Sequence, residues 1–221
     1  MRTVRGGGEH EVEIKKSRFL CSLARVDDED AARAFIAERR KLHWNATHNC
    51  TAYILGEHRD IQRSNDDGEP AGTAGLPMLE VLRHRDLTDT VAVVTRYFGG
   101  TKLGVGGLIR AYGNAVGQAV DAIGVVEFRS MAIVSVITDY TQAGRLESVL
   151  RGSAYGVEDT RYTEVVTFQV LVPEGQEARF TDWVAERTGG AASVAEVEHR
   201  LVEVDPTVAD PTSRPAPGTG D

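Results

Sequence analysis

The stretch from Thr90 to Gly124 constrains this chain most: a β-branched run, a glycine-filled connection and then an amphipathic helical pattern. Val91, Val93, Val94, Thr95 and Tyr97 give Thr90 to Phe98 the content of a strand. Leu108, Tyr112, Ala115, Val116, Ala119 and Ile123 then recur at helical spacing, so one helix face must pack on a sheet, and Gly124 can end it. Seven of the 23 glycines fall between Gly99 and Gly117. So much glycine between a strand and a helix start lets backbone N–H groups approach a ligand closely. Arg96, Lys102 and Arg110 add positive charge, and no acidic residue occurs from Val91 to Val120, a combination that suits an anion. The competing reading is that the glycines serve close packing and tight turns. A dinucleotide fingerprint fails because Ile109 stands where Gly104-Val105-Gly106 requires a third glycine, and Lys102 follows Thr101 rather than a P-loop glycine. No cofactor is implied.

The flanking sequence supplies the rest of a mixed α+β chain. Ser17 to Ala24 reads as a strand, followed by a helix capped by Asp27 or Asp28 with Ala31, Phe35, Ile36 and Leu42 on one face. His48 to Leu55 is the next strand, Ile61 to Gly75 has loop chemistry, and a short helix spans Pro77 to about His84. From Met131 the pattern restarts as strand 131–138, helix 141–150, strands 155–160 and 164–172, helix 177–187 and strand 193–204. This βαββαβ order is the ferredoxin-like split arrangement. Asp205 to Asp221 holds four of the seven prolines among small polar residues and reads as a disordered tail. The expected division is therefore 1–130, 131–204 and 205–221, which suits a chain of 221 residues.

Charge is unevenly spread. Residues 1–130 hold 18 basic and 18 acidic side chains, whereas 131–204 hold six against twelve, which argues against a polyanion-binding role for the second part. No run approaches the roughly 20 apolar residues of a membrane-spanning helix, and the first residues lack a signal-peptide core, so the cytoplasm is the expected location and no membrane partner is expected. Cys21 and Cys50, each in an apolar run, read as buried thiols.

Two further clusters invite chemistry. Asp66, Asp67 and Glu69 place three carboxylates in four residues, which could bind a divalent metal, act in acid–base chemistry, or pair with Arg96, Lys102 and Arg110. Pairing or partner contact is the preferred reading, because the spacing lacks the alternating ligands of an EF-hand loop. His43, His48 and Cys50 offer only three zinc-type ligands, with no fourth at recognisable spacing. No Gly-x-Ser-x-Gly elbow supports a hydrolase.

Lys16-Ser17-Arg18-Phe19, Asp66 to Pro70 followed by Gly72 to Gly75, and Arg96 to Gly100 running into Leu103 to Leu108 together resemble the hallmarks of the YigZ/IMPACT family, in its bacterial two-domain form. The likeness covers roughly residues 9 to 204. It implies a first domain like ribosomal protein S5 domain 2 and a ferredoxin-like second domain similar to the C-terminal domain of elongation factor G. Eukaryotic members are associated with translational control through a protein partner.

The expected function is thus a translation-associated regulatory or binding protein that meets RNA, the ribosome or an acidic protein segment. The alternative is an enzyme acting on a phosphorylated small molecule in a cleft between the Asp66–Glu69 loop and the Arg96–Arg110 stretch; catalysis is the less favoured of the two. The candidate ligand or partner contacts are Lys16, Ser17, Arg18, Asp66, Asp67, Glu69, Thr73, Arg96, Tyr97, Gly99, Gly100, Lys102, Gly104, Gly106, Gly107 and Arg110. None is assigned a catalytic or metal-ligating role.

Overall fold

The structure, a computed structural model, describes residues 1–206. The chain divides into two compact units, the first Met1–Glu127 and the second from Phe128 onward. Most of the expected tail, from residue 207 on, lies outside the described residues. No helix among the described residues is long and apolar enough to cross a membrane.

The first unit is built on five strands: β2 (Gly8–Ile14), β3 (Ser17–Arg25), β4 (His48–Leu55), β5 (Ile61–Asn65) and β6 (Thr90–Tyr97), in the order β2-β3-β6-β4-β5. All four pairings are antiparallel. The valine-rich β6 is central because it can bury both faces. Ala92 and Val94 join the core under helices α2 (Gly75–His84) and α3 (Val105–Ile123), while Val91 faces α1 (Glu29–Leu42) with Tyr53 and Leu55. Helix α1 starts where the Asp28 carboxylate accepts from the Ala31 amide at 2.7 Å. Glu29 and Asp30 in its first turn, and Arg39, Arg40 and Lys41 in its last, complement the helix dipole. A short strand, β1 (Arg2–Val4), pairs antiparallel with residues 125–127 at the start of β7 (Val125–Thr138).

The second unit contains the remainder of β7, α4 (Tyr140–Arg151), β8 (Gly156–Tyr162), β9 (Val166–Pro173), α5 (Glu177–Thr188) and β10 (Ser193–Val204). Its pairings give the order β10-β7-β9-β8. The inward residues of β7 and β9, such as Val134, Val136, Phe168 and Val170, pack with Leu146, Leu150, Phe180 and Val184 of the two helices.

Three expectations need correction. The Ile61 to Gly75 segment is not loop throughout: its first five residues form β5, an edge strand whose polar sequence carries little strand signal. The short helix starts at Gly75, two residues before Pro77, because proline is tolerated within a first turn. The strand expected from Met131 begins six residues earlier, at Val125, and the first three of these residues pair with β1.

Candidate anion-binding surface

The carboxylate loop after β5 turns inward. The Asp66 carboxylate accepts from the backbone amides of Gly72 (2.8 Å), Ala74 (3.0 Å) and Gly75 (2.8 Å). Burial pushes the Asp66 carboxyl up, but the amides of Gly72, Gly75 and Ala74 outweigh it and hold the group below the usual carboxylate range. Asp67 accepts from the Asn49 amide at 2.7 Å and from the Arg40 guanidinium at 3.0 Å. Thr73 is buried, and its hydroxyl donates to the Pro70 carbonyl at 2.7 Å.

Glu69 goes deepest. One of its oxygens accepts both from Arg96 at 2.6 Å and from the Tyr112 hydroxyl at 2.8 Å. The Arg96 guanidinium also lies 5.4 Å from the centre of the Phe19 ring, and Phe19 meets Tyr112 edge to face at 5.2 Å. Burial, reinforced by Cys50 and Glu69, pushes the Tyr112 phenol far up, and burial takes the Cys50 thiol to about 12, so both stay protonated at neutral pH. Arg96 is therefore not the exposed anion contact expected from the sequence. Its buried charge requires an internal partner, and Glu69 is that partner. This contact engages Glu69 and Arg96 with each other, two of the groups expected to face a ligand across a cleft.

Ser17 is likewise internal. Its hydroxyl accepts from the Gly99 amide at 3.1 Å, and Gly99 lies so close to the β2–β3 turn that a Cβ there would be 2.0 Å from the carbonyl carbon and oxygen of Lys16. This glycine is required by backbone approach, as the packing reading anticipated. Gly100 and Gly104 instead need their positive φ of 85° and 74°. Gly104 precedes the first turn of α3, where no side chain caps the helix and no acidic residue stands.

The remaining cations face outward. Lys15 and Lys16 form the two-residue turn between β2 and β3, both exposed. Lys102 is exposed in the glycine loop and Arg110 on α3. None of these four has an ion pair among the described residues. Lys15 and Arg110 line one open groove with Ile14, Leu103, Gly107, Ala111 and Asn114. Arg18 is exposed but held by Glu11 in a two-pronged pair at 2.7 and 3.0 Å, beneath which Tyr97 bonds His43 at 2.9 Å. His43, His48 and Cys50 each bond elsewhere, to Tyr97, the Asp67 carbonyl and the Asp66 carbonyl.

Of the expected contacts, the structure thus leaves Lys16, Lys102, Arg110, Gly100, Gly104 and Gly106 on the surface, with Gly107 half-buried and Gly99 packed against the Lys16 backbone. It turns Ser17, Asp66, Glu69, Thr73 and Arg96 inward to support them. Sequence reasoning missed Lys15 and Asn114. A Lys-Lys pair between two alternating runs is the signal that could have found the first.

Residues 15–120 match the Impact N-terminal domain and residues 136–191 match a domain of unknown function, DUF1949. The IMPACT family member YvyE of Bacillus subtilis (strain 168) is 52% identical over 201 residues, covering 91% of this chain and 93% of the relative. The chain belongs to the IMPACT family. IMPACT family member YigZ of Escherichia coli (strain K12) is 36% identical over 188 residues, 84% of this chain and 92% of the relative. A crystal structure of a hypothetical protein, 32% identical, matches with a TM-score of 0.54 over 89% of this IMPACT-family chain and 97% of its own. The two-domain translational regulator Yih1 gives a TM-score of only 0.34 over 53% of the chain, which supports no transfer of role. The Impact domain match begins at Lys15 and ends within α3, so it spans every outward cation of the surface.

Proposed function

We propose that this IMPACT-family protein is a translation-associated regulatory protein that holds RNA phosphates on the surface formed by Lys15, Lys16, Lys102 and Arg110 around the glycine loop. One observation carries the reading: these four cations face solvent without an ion pair among the described residues, while the carboxylates of the neighbouring Asp66–Glu69 loop are engaged internally. Unpartnered cations beside glycine-rich backbone and an uncapped helix start favour a bound anion. The association with translation rests on the family. The same reading takes the first unit as S5-domain-2-like and the second as similar to the C-terminal domain of elongation factor G, in keeping with the antiparallel five-stranded sheet and the βαββαβ order.

The test is the salt dependence of RNA binding. Four phosphate contacts on a single strand give a slope of roughly −3 in log K against log salt, about a 50-fold loss between about 50 and 200 mM. Lys102→Glu should weaken binding and flatten that slope. Binding that ignores salt, or that survives loss of all four cations, overturns the reading. Poly-glutamate that displaces RNA and binds more tightly would assign the surface to an acidic protein segment instead.

A further inference from the structure

Trp44 is 81% exposed and Phe98 48% exposed, in a chain whose other large aromatics in the first unit are mostly buried or half-buried. They stand on segments tied together by hydrogen bonds. The Thr47 amide donates to the Arg96 carbonyl at 2.9 Å, the Phe98 amide donates to the Thr47 hydroxyl at 3.1 Å, and His43 meets the Tyr97 hydroxyl at 2.9 Å. The turn that carries Trp44 is thereby fixed beside the end of β6, which Phe98 directly follows. Directly after Phe98, Gly99 rests on the Lys16 peptide, so the aromatics adjoin the basic turn.

Along their own segments the charge has one sign, and the acidic side chains that approach from neighbouring elements, Asp67 and Glu11, are each paired with an arginine. Neither segment contains an acidic residue: none occurs from Arg39 to Gly56, and none from Val91 to Val120. Lys41, like Lys102, is exposed and has no ion pair among the described residues. Exposed aromatic faces framed by unpaired lysines differ from the core of a protein–protein interface, which is depleted of lysine. They match the surfaces that grip single-stranded nucleic acid, where a basic track follows the backbone and aromatics stack on bases. A duplex keeps its base faces stacked on one another and offers them no partner.

We infer that Trp44 and Phe98 form a base-stacking platform, and that the ligand is single-stranded RNA whose phosphates run onto Lys16 and Lys102. This rests on the phosphate-binding reading above and narrows it from polyanion to unpaired strand.

The experiment uses the full chain carrying Trp183→Phe, which leaves Trp44 as the sole tryptophan. If that core change prevents folding, the difference in emission between the unaltered chain and Trp44→Ala gives the same signal. Four probes are titrated: a short single-stranded RNA, the same strand in a duplex, inorganic polyphosphate and poly-glutamate. The single strand should quench Trp44 and bind at least about ten-fold more tightly than the duplex or polyphosphate, and Trp44→Ala or Phe98→Ala should each weaken it by about 5- to 150-fold. Polyphosphate binding should not change in either variant. Equal affinity for single strand and polyphosphate, unaffected by both variants, overturns the stacking platform and leaves the phosphate reading standing. Preference for poly-glutamate with the same sensitivity to Trp44 overturns it in favour of an acidic protein partner. Failure of all four probes to bind overturns both readings.

Discussion

Glu69 and Arg96 meet at 2.6 Å with only 3% and 7% of their side chains exposed, which makes them the most deeply buried ion pair among the described residues. The pair ties the carboxylate loop to the central strand, and Tyr112 adds helix α3 through the same oxygen. Removing one partner leaves the other charge buried and alone, whereas removing both with apolar groups costs far less. Glu69→Ala should therefore lower stability by about 3–5 kcal/mol. Glu69→Leu combined with Arg96→Met should recover more than half of that loss, read from urea midpoints of the two variants. A double variant as unstable as the single one would mean that the contact with Tyr112, not the charge pair, dominates.

The glycines separate by what surrounds them. At Gly99 a Cβ would strike the Lys16 backbone at 2.0 Å, and backbone cannot yield as a flexible side chain can. At Gly117, within α3, a Cβ would meet nothing within 4 Å. Gly99→Ala is expected to cost about 1–3 kcal/mol or more through overpacking, while Gly117→Ala should gain about 0.5–1 kcal/mol from helix propensity. Thermal melts of the two variants should move in opposite directions.

Much of this architecture was legible in the sequence because burial writes itself into residue choice. Val91 to Val94 demand a strand buried on both faces, and the helical spacing from Leu108 to Ile123 demands a helix packed on one side, and both are present. Strands β1, β2 and β5 were not legible. Edge strands face solvent and carry polar residues such as Glu9, Glu11 and Glu13, which protect against edge-to-edge pairing but erase the apolar alternation. The site was legible as a set of residues and not as a set of roles. Arg96 and Lys102 look equivalent in sequence; only the fold shows that one is neutralised by Glu69 across 27 positions and the other is free of ion pairs. Partners so distant leave no local pattern.

Asp66 organises its loop by accepting three backbone N–H groups, and its carboxyl is held below the usual range despite burial. A depressed folded pKa contributes stability that is fully present above the unfolded value of about 3.9 and lost as pH falls through the lower folded value. Asp66→Asn keeps the shape but turns an N–H donor toward one of these amides. It should cost about 1–3 kcal/mol at neutral pH. The gap between the two proteins should narrow below about pH 4, as the unaltered carboxyl is itself protonated. Denaturant curves at neutral and acidic pH test this; a gap that stays constant across that range would remove Asp66 as the titrating group.

Lys15 and Lys16 adopt φ of 48° and 68°, so the turn between Ile14 and Ser17 places two side-chain-bearing residues in the left-handed region. Two-residue hairpin turns of this kind prefer Asn-Gly, because a Cβ is disfavoured there by about 1–2 kcal/mol per residue. The lysines are therefore poor choices for folding, and local strain of this sort accumulates where a side chain serves a ligand. Replacing the pair with Asn-Gly should raise stability by about 1–2 kcal/mol, even though the turn is exposed and its lysines make no ion pair among the described residues. The same change removes two of the four cations of the proposed surface. RNA affinity should fall and its salt slope should drop by roughly 1.4, that is about 0.7 for each lost phosphate contact on a single strand. The expected result is thus a protein that melts higher and binds more weakly. If the variant gains stability yet binds RNA as before, the turn lies outside the binding surface, and Lys102 and Arg110 alone would have to account for it.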